Sequence, residues 1–225
     1  MTLPAMQTSD DYNQECRACP RLALFLDGVK RENPDYFAKP VPPFGAANPH
    51  LLIVGLAPGM HGANRTGRPF TGDFAGILLY ETLYKFGYAS QPRSERADDE
   101  LRLIGCRISN AVKCLPPENK PIPEEIKTCN RYLAAEIGRL PRHTMILALG
   151  QIAHVAVLMA HQLKKSAYRF GHAAQHILPD GRLLFDSYHC SRYNTQTKRL
   201  TTASFEAIFA AIRDQMEKRR CHTSM

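Results

Sequence analysis

The run LLIVGLAPGMHGANRTGRPFTGDFAG, residues 51–76, moves from a strand through a glycine-rich loop into a helix. Four aliphatic residues, 51–54, bounded by turn formers read as a buried parallel strand. Gly55, Pro58, Gly59, Gly62, Gly67 and Gly72 follow with little apolar periodicity between them. Such a segment suits a loop whose backbone passes close to a ligand. Beyond Asp73 the pattern turns helical, with Ile77, Tyr80 and Tyr84 on one stripe, Leu79, Leu83 and Phe86 beside it, and Gly87 as a stop. Thr71 and Asp73 are natural caps for this helix. A strand, loop and helix start in this order place a ligand at the carboxyl end of a parallel sheet. The loop has neither the G-x-x-x-x-G-K-[S/T] nor the G-x-G-x-x-G phosphate pattern. It is instead rich in polar groups (His61, Asn64, Arg65, Thr66, Arg68, Thr71, Asp73) around Phe70.

Working outward, residues 107–112 and 144–150 (TMILALG) read as further buried strands, and QIAHVAVLMAHQL as a helix in which His154 and His161 are surface or packing residues. A hairpin-like GHAAQHILPDGRLL leads into a last strand at 183–188. A C-terminal helix over 202–219 turns Phe205, Ile208, Phe209, Ile212 and Met216 inward. Residues 20–50 are Pro-rich and read as a covering loop with one short helix. SQPRSERADDE reads as a solvated turn. Four strands alternating with helices predict an α/β fold: a three-layer α/β/α sandwich with a central four-stranded, mostly parallel sheet.

The chain has 225 residues, room for one good core, so a single domain over 1–225 is expected. Its composition, 44% hydrophobic and 22% charged, is that of a globular protein. No apolar run reaches the length of a membrane span, and MTLPAMQTSDDYNQ has no secretory pattern, so a cytoplasmic, monomeric protein is expected. The net charge of +8 favours a polyanionic partner, with DNA the obvious one.

Seven cysteines in such a protein point to metal or redox chemistry rather than disulfides. Cys16 and Cys19 form a CxxC. Cys114 lies just past a strand, and Cys129 lies on the inner face of a helix that opens at Pro123, with Ile126, Leu133, Ile137 and Leu140. Four such thiols suit zinc, a [4Fe–4S] cluster, or plain reduced cysteines. Cys106, Cys190 and Cys221 read as bystanders, Cys106 as core.

The second polar stretch, HCSRYNTQTKR, follows the last strand. A His at that strand end is placed to meet the glycine-rich loop. Ser191, Asn194 and the threonines beside Arg192 and Lys198 can donate to phosphates, and Tyr193 offers a stacking face.

The words G-L-A-P-G-x-H-G-A-N-R-T-G-R-P-F-T-G-D resemble motif one of the family-five (type-b) branch of the uracil-DNA glycosylase superfamily, and H-x-S-x-x-N with T-x-T resembles its motif two. Lys198 stands where this branch is expected to have glycine. The resemblance implies a DNA repair enzyme that hydrolyses the glycosidic bond of uracil and of other deaminated bases such as hypoxanthine. It also implies a [4Fe–4S] cluster on Cys16, Cys19, Cys114 and Cys129. Catalytic roles are expected for His189 (donor to the departing base), Asn110 (base edge) and Asp73 (water). The last role arises because Ala57 stands where the superfamily usually carries Asp or Asn. Gly55, Ala57, Gly59, His61, Phe70, Ser191, Arg192 and Asn194 are the expected substrate contacts. Gly59 falls where classical members carry a Tyr that closes the pocket, so bulkier lesions are expected substrates. The competing readings are a non-catalytic Fe–S nucleic-acid-binding protein on the same scaffold, should Ala57 mean lost activity, and a phosphate-binding α/β enzyme, which fits the fold but not the loop.

Overall fold

The computed structural model describes residues 11–223, with side chains as far as Arg219. The readings of residues 1–10 and of the Cys221 thiol therefore fall outside the described residues.

Four strands form the middle of the sheet: β2 (Leu51–Gly55), β3 (Cys106–Asn110), β4 (Met145–Leu149) and β6 (Leu183–Ser187). All are parallel, in the spatial order β3-β2-β4-β6. The sheet has six strands rather than the expected four. β1 (Phe44–Gly45) adds antiparallel to β3, and β5 (Gln175–Ile177) adds antiparallel to β6. β5 falls in the segment that reads as hairpin-like without counting among the expected strands, and β1 has no strand pattern in sequence. β1 is two residues long, and the alternation of β5 presents Ile177 to solvent.

Alternation along the buried strands divides the core into two layers. Leu51, Ile53, Leu147 and Phe185 pack with Leu79, Leu83, Phe205 and Phe209 from α3 (Phe74–Lys85) and α7 (Thr202–Thr223). Leu52, Val54, Ile146 and Leu184 pack with Leu133, Ile137, Ala153 and Val157 from α4 (Pro123–Arg139) and α5 (Gln151–Ala160). Helices on both faces make the three-layer sandwich. A third cluster joins α1 (Pro20–Glu32) to Val112, Leu115 and Tyr132.

Helix α3 differs from its expected stripe. Tyr80 is buried and donates to the Pro69 carbonyl at 2.8 Å, but Ile77 and Tyr84 are exposed, and Leu78 takes an inner position instead. The charged segment 91–100 is also more than a solvated turn. Arg68, nearly buried, reaches from the glycine-rich loop to Asp99 at 2.6 Å, to Ser94 Oγ at 2.7 Å and to Thr71 Oγ1 at 2.9 Å. Thr71 belongs to this network rather than capping α3. The cap is Asp73.

Candidate active site

The strand order sends Gly55, Asn110, Gly150 and His189 to the same carboxyl edge of the sheet. Backbone bonds from Ala111 N to the Gly55 carbonyl (2.9 Å) and from Val112 N to the Leu56 carbonyl (3.0 Å) continue the β2–β3 register past the strand ends. Asn110 and the start of the loop are thereby held side by side.

A Cβ on Gly55 would lie 2.4 Å from Asn110 Oδ1 and 2.7 Å from Phe70 Cζ. Only glycine fits between those two side chains. Phe70 itself takes φ +54, a left-handed backbone uncommon for a bulky residue. Its ring stacks on His189 with centroids 5.9 Å apart and planes inclined by 29°. Asn110 Oδ1 is buried and accepts from no protein group among the described residues. A buried acceptor without a partner costs about 1–3 kcal/mol and calls for an explanation. Here it stands beside an aromatic face, as base recognition requires.

The short helix α2 (Ala63–Thr66) lies inside the glycine-rich loop. Asp73 caps α3, its Oδ1 accepting from Gly76 N at 2.8 Å. Its Oδ2 turns back towards the loop: a Cβ on Gly62 would meet it at 2.5 Å, whereas a Cβ on Gly59 would meet it at an ordinary 3.6 Å. Gly62 is thus excluded from bearing a side chain, whereas a Cβ on Gly59 would sit in ordinary contact with the carboxylate. Burial raises the Asp73 pKa above its ordinary value, against the pull of the Gly76 and Ala75 N–H groups. The same cause pushes His189 down to about 4, so its imidazole is neutral at physiological pH.

The loop after β6 is held by its own polar groups. Ser191 caps α6 (Arg192–Gln196) by accepting from Asn194 N, and Asn194 Nδ2 donates to the His189 carbonyl at 2.8 Å. Their side chains therefore shape the loop that presents His189. Lys198 takes φ +57, so the position read as a glycine site does use left-handed backbone. Ala57 and Gly59 are half-buried at the start of the loop, and Ala57 packs towards the third cluster. His61 is exposed, its Nδ1 2.7 Å from the Tyr36 hydroxyl, on the outer side of the loop.

Two clefts open here. The larger, about 560 Å³, is bounded by Asp73 and by Arg65, Arg93 and Arg192, but by none of Phe70, Asn110 and His189. Glu81 and Glu95 also line it, so its charge is mixed, with three exposed arginines available to phosphates. A second cleft of about 370 Å³ is lined by Leu56, Gly150, Gln151, His189, Asn194 and Arg199, and the amino end of α5 opens on it. Tyr193, 70% exposed, projects from the loop between Arg192 and Asn194.

Cys16, Cys19, Cys114 and Cys129 line one small cavity between α1, α4 and the segment after β3. Lys113 N donates to Cys129 Sγ at 3.2 Å, and Arg131 lies 3.8 Å from Cys16 Sγ.

The sequence reading names Arg68, Gly62 and Asn64 as parts of the loop but assigns none a role: Arg68 pairs with Asp99, Gly62 faces Asp73, and neither side-chain polar atom of the buried Asn64 has a partner among the described residues. It passes over Lys113, buried against Ser109, the Asn110 carbonyl (3.0 Å) and Glu136 (3.6 Å). An arginine or lysine adjoining a chemical motif is the signal that could have assigned Arg68 and Lys113 a role.

A parallel-sheet scaffold that brings an orphan amide, an aromatic face, a neutral imidazole and a buried carboxylate to one edge, with arginines around it, is that of an enzyme acting on nucleic-acid bases. The comparisons are specific. Residues 42–213 match the family model of the uracil DNA glycosylase superfamily, and the chain belongs to that family. A Type-5 uracil-DNA glycosylase of Thermus thermophilus is 50% identical over 195 residues, covering 84% of this chain and 89% of that protein. The Type-5 enzyme of Pyrobaculum aerophilum is 36% identical over 197 residues, covering 86% and 85%. A Type-4 enzyme of Archaeoglobus fulgidus is 32% identical over 149 residues, 66% of this chain and 62% of that one.

Proposed function

We propose that this protein is a DNA repair glycosylase of the family-five, type-b kind. It hydrolyses the N-glycosidic bond of uracil, and of deaminated purines such as hypoxanthine, to leave an abasic site. The observation that carries this reading is the orphan acceptor Asn110 Oδ1, buried beside Phe70 and His189. The target nucleotide is flipped from the stack. Phe70 supplies a face worth ~1–3 kcal/mol of stacking, and Asn110 reads the base edge. As the glycosidic bond breaks, negative charge grows on the base and positive charge on the sugar. The neutral His189 donates an N–H to the base anion, a preorganised interaction that strengthens in the transition state. Asp73, as a carboxylate, orients the attacking water through Oδ2 and faces the sugar cation. Arg65, Arg93 and Arg192 hold the phosphates, aided by the N-terminal amides of α5. Gly59, with no side chain to close the pocket beside Asp73, favours the broader substrate range.

The four cysteines are the proposed ligands of a [4Fe–4S] cluster, since they line one cavity shared by α1, α4 and the segment after β3. When bound, the cluster supplies a covalent tie among segments distant in sequence. The chain's own part is Lys113 N–H and Arg131 offsetting thiolate charge. The protein acts as a cytoplasmic monomer on DNA.

The test is incubation with duplex DNA carrying a single uracil, then a single hypoxanthine, followed by alkali. Strand cleavage at the lesion is expected with both. Binding without cleavage would favour the non-catalytic reading instead.

A further inference from the structure

His154, His176 and Asp186 form a compact group outside the active site, and we propose that they bind a divalent cation of the zinc class. The three residues come from α5, β5 and β6, and their ligand atoms all lie within 4.8 Å of one another. His154 Nδ1 is 2.8 Å from Asp186 Oδ1, and His176 Nε2 is 3.3 Å from Asp186 Oδ2. The two imidazole centroids are 5.6 Å apart at 61°. Two histidines sharing one zinc at Zn–N of about 2.0–2.1 Å would hold their centroids roughly 5–5.5 Å apart. Little movement is needed to admit the ion.

The surroundings fit as well. His154 Nε2 lies 2.9 Å from the Tyr168 carbonyl, which fixes the tautomer that leaves Nδ1 free to ligate. Metal-bound histidines almost always donate their other N–H in this way. Phe170 and Tyr168 pack edge-on against His154 and His176 respectively, giving the site an apolar wall. Asp186 is fully buried and His154 nearly so, while His176 is 16% exposed and provides the side from which an ion and a water ligand enter. Two imidazoles and one carboxylate suit zinc and its transition-metal neighbours better than magnesium or calcium, which prefer all-oxygen sets. Without the ion, His154 Nδ1 meets Asp186 while Nε2 faces the Tyr168 carbonyl. Zinc replaces the proton of the Nδ1–Asp186 contact, which leaves to solvent.

Occupancy would pin the edge strand β5 to α5 and stiffen β6 just before it delivers His189. It is therefore a structural cation site, and it stands independently of the glycosylase reading. The holoprotein should be equilibrated with zinc sulfate, gel-filtered and analysed for zinc and iron, beside H176Q and D186N. The wild type should retain a stoichiometric equivalent of zinc that both variants lose by at least tenfold in affinity, with iron unchanged in all three. Zinc, but not magnesium, should also raise the wild-type Tm by roughly 5 °C or more at a hundredfold excess over Kd. Absence of that rise, or zinc retained equally by H176Q, would overturn the proposal. Zinc lost only on replacing Cys16 would do the same, by assigning the ion to the cysteines.

Discussion

Asp73 combines two roles in its two oxygens, Oδ1 capping α3 and Oδ2 facing the loop. Asp73→Asn keeps an oxygen to accept from Gly76 but removes the charge. Single-turnover excision should fall ~10²–10⁴-fold, the range for a positioned acid or base. Stability should hold or rise. A carboxyl whose folded pKa is raised binds its proton more tightly folded than unfolded, so its ionised form at neutral pH opposes folding. Thermal melts beside rate measurements separate the two roles, and a large loss of Tm with full activity would reduce Asp73 to a cap. His189, at about 4, is neutral from pH 5 upward. The acid limb that Asp73 sets should lie above the ordinary 3.8 and be lost in Asp73→Asn, leaving only that of His189 near 4. His189→Ala should lose ~10²–10³-fold across the whole range. Because the folded pKa of His189 is lowered, its contribution to stability is present above pH 6.5 and is lost as pH falls towards 4.

Between elements, the clamp from Arg68 to Asp99 joins the glycine-rich loop to the segment before β3. Asp99→Ala leaves a buried guanidinium without its counter-charge, which typically costs ~3–5 kcal/mol, reduced here by the remaining bonds to Ser94 and Thr71. Urea denaturation should show the loss, and affinity for abasic DNA should fall with it. Desolvation pushes the Asp99 pKa up, but Arg68 and the Leu101 and Arg96 N–H groups together bring it below its ordinary value. Asp99 therefore stabilises the fold above the unfolded carboxylate range and ceases to do so as pH falls through its lowered folded value. Asp99→Asn should lose that acid-side slope. The clamp was not legible in SQPRSERADDE, because a run of alternating charges looks the same whether one member turns inward or none does. Strands were legible where burial on both faces made them continuously apolar, as in β2 and β4. The edge β1 was not, and β5 only as part of a hairpin-like segment, since a short strand with one free side leaves no such run. Ile77 was misplaced for a related reason: α3 is apolar around most of its circumference, so periodicity alone could not choose its inner face. The glycine-rich loop announced a close approach, but which side chains press on Gly55 and Gly62 depends on strand order.

For the molecule as a whole, the cysteine set bridges the segment at Cys16 and Cys19 to Cys114 and Cys129. Cys129→Ala should yield protein with less iron and lower solubility, melting roughly 4–8 °C lower if the lost tie is worth ~2 kcal/mol in a chain of this size. Excision per folded molecule should change far less, because none of the four sulfurs adjoins Phe70 or His189. Iron and sulfide analysis with calorimetry checks this, and an unchanged iron content would remove Cys129 from the ligand set.

If Asn110 reads the base edge as proposed, its orphan oxygen would let one pocket accept both a pyrimidine and a purine lesion. Cytosine and adenine present a bare ring nitrogen along their pairing edge, and an acceptor facing an acceptor is repelled. Deamination turns that nitrogen into an N–H, in uracil and in hypoxanthine alike. A buried acceptor with nothing to accept from therefore responds to the chemical event of damage itself, whatever the size of the ring that suffered it.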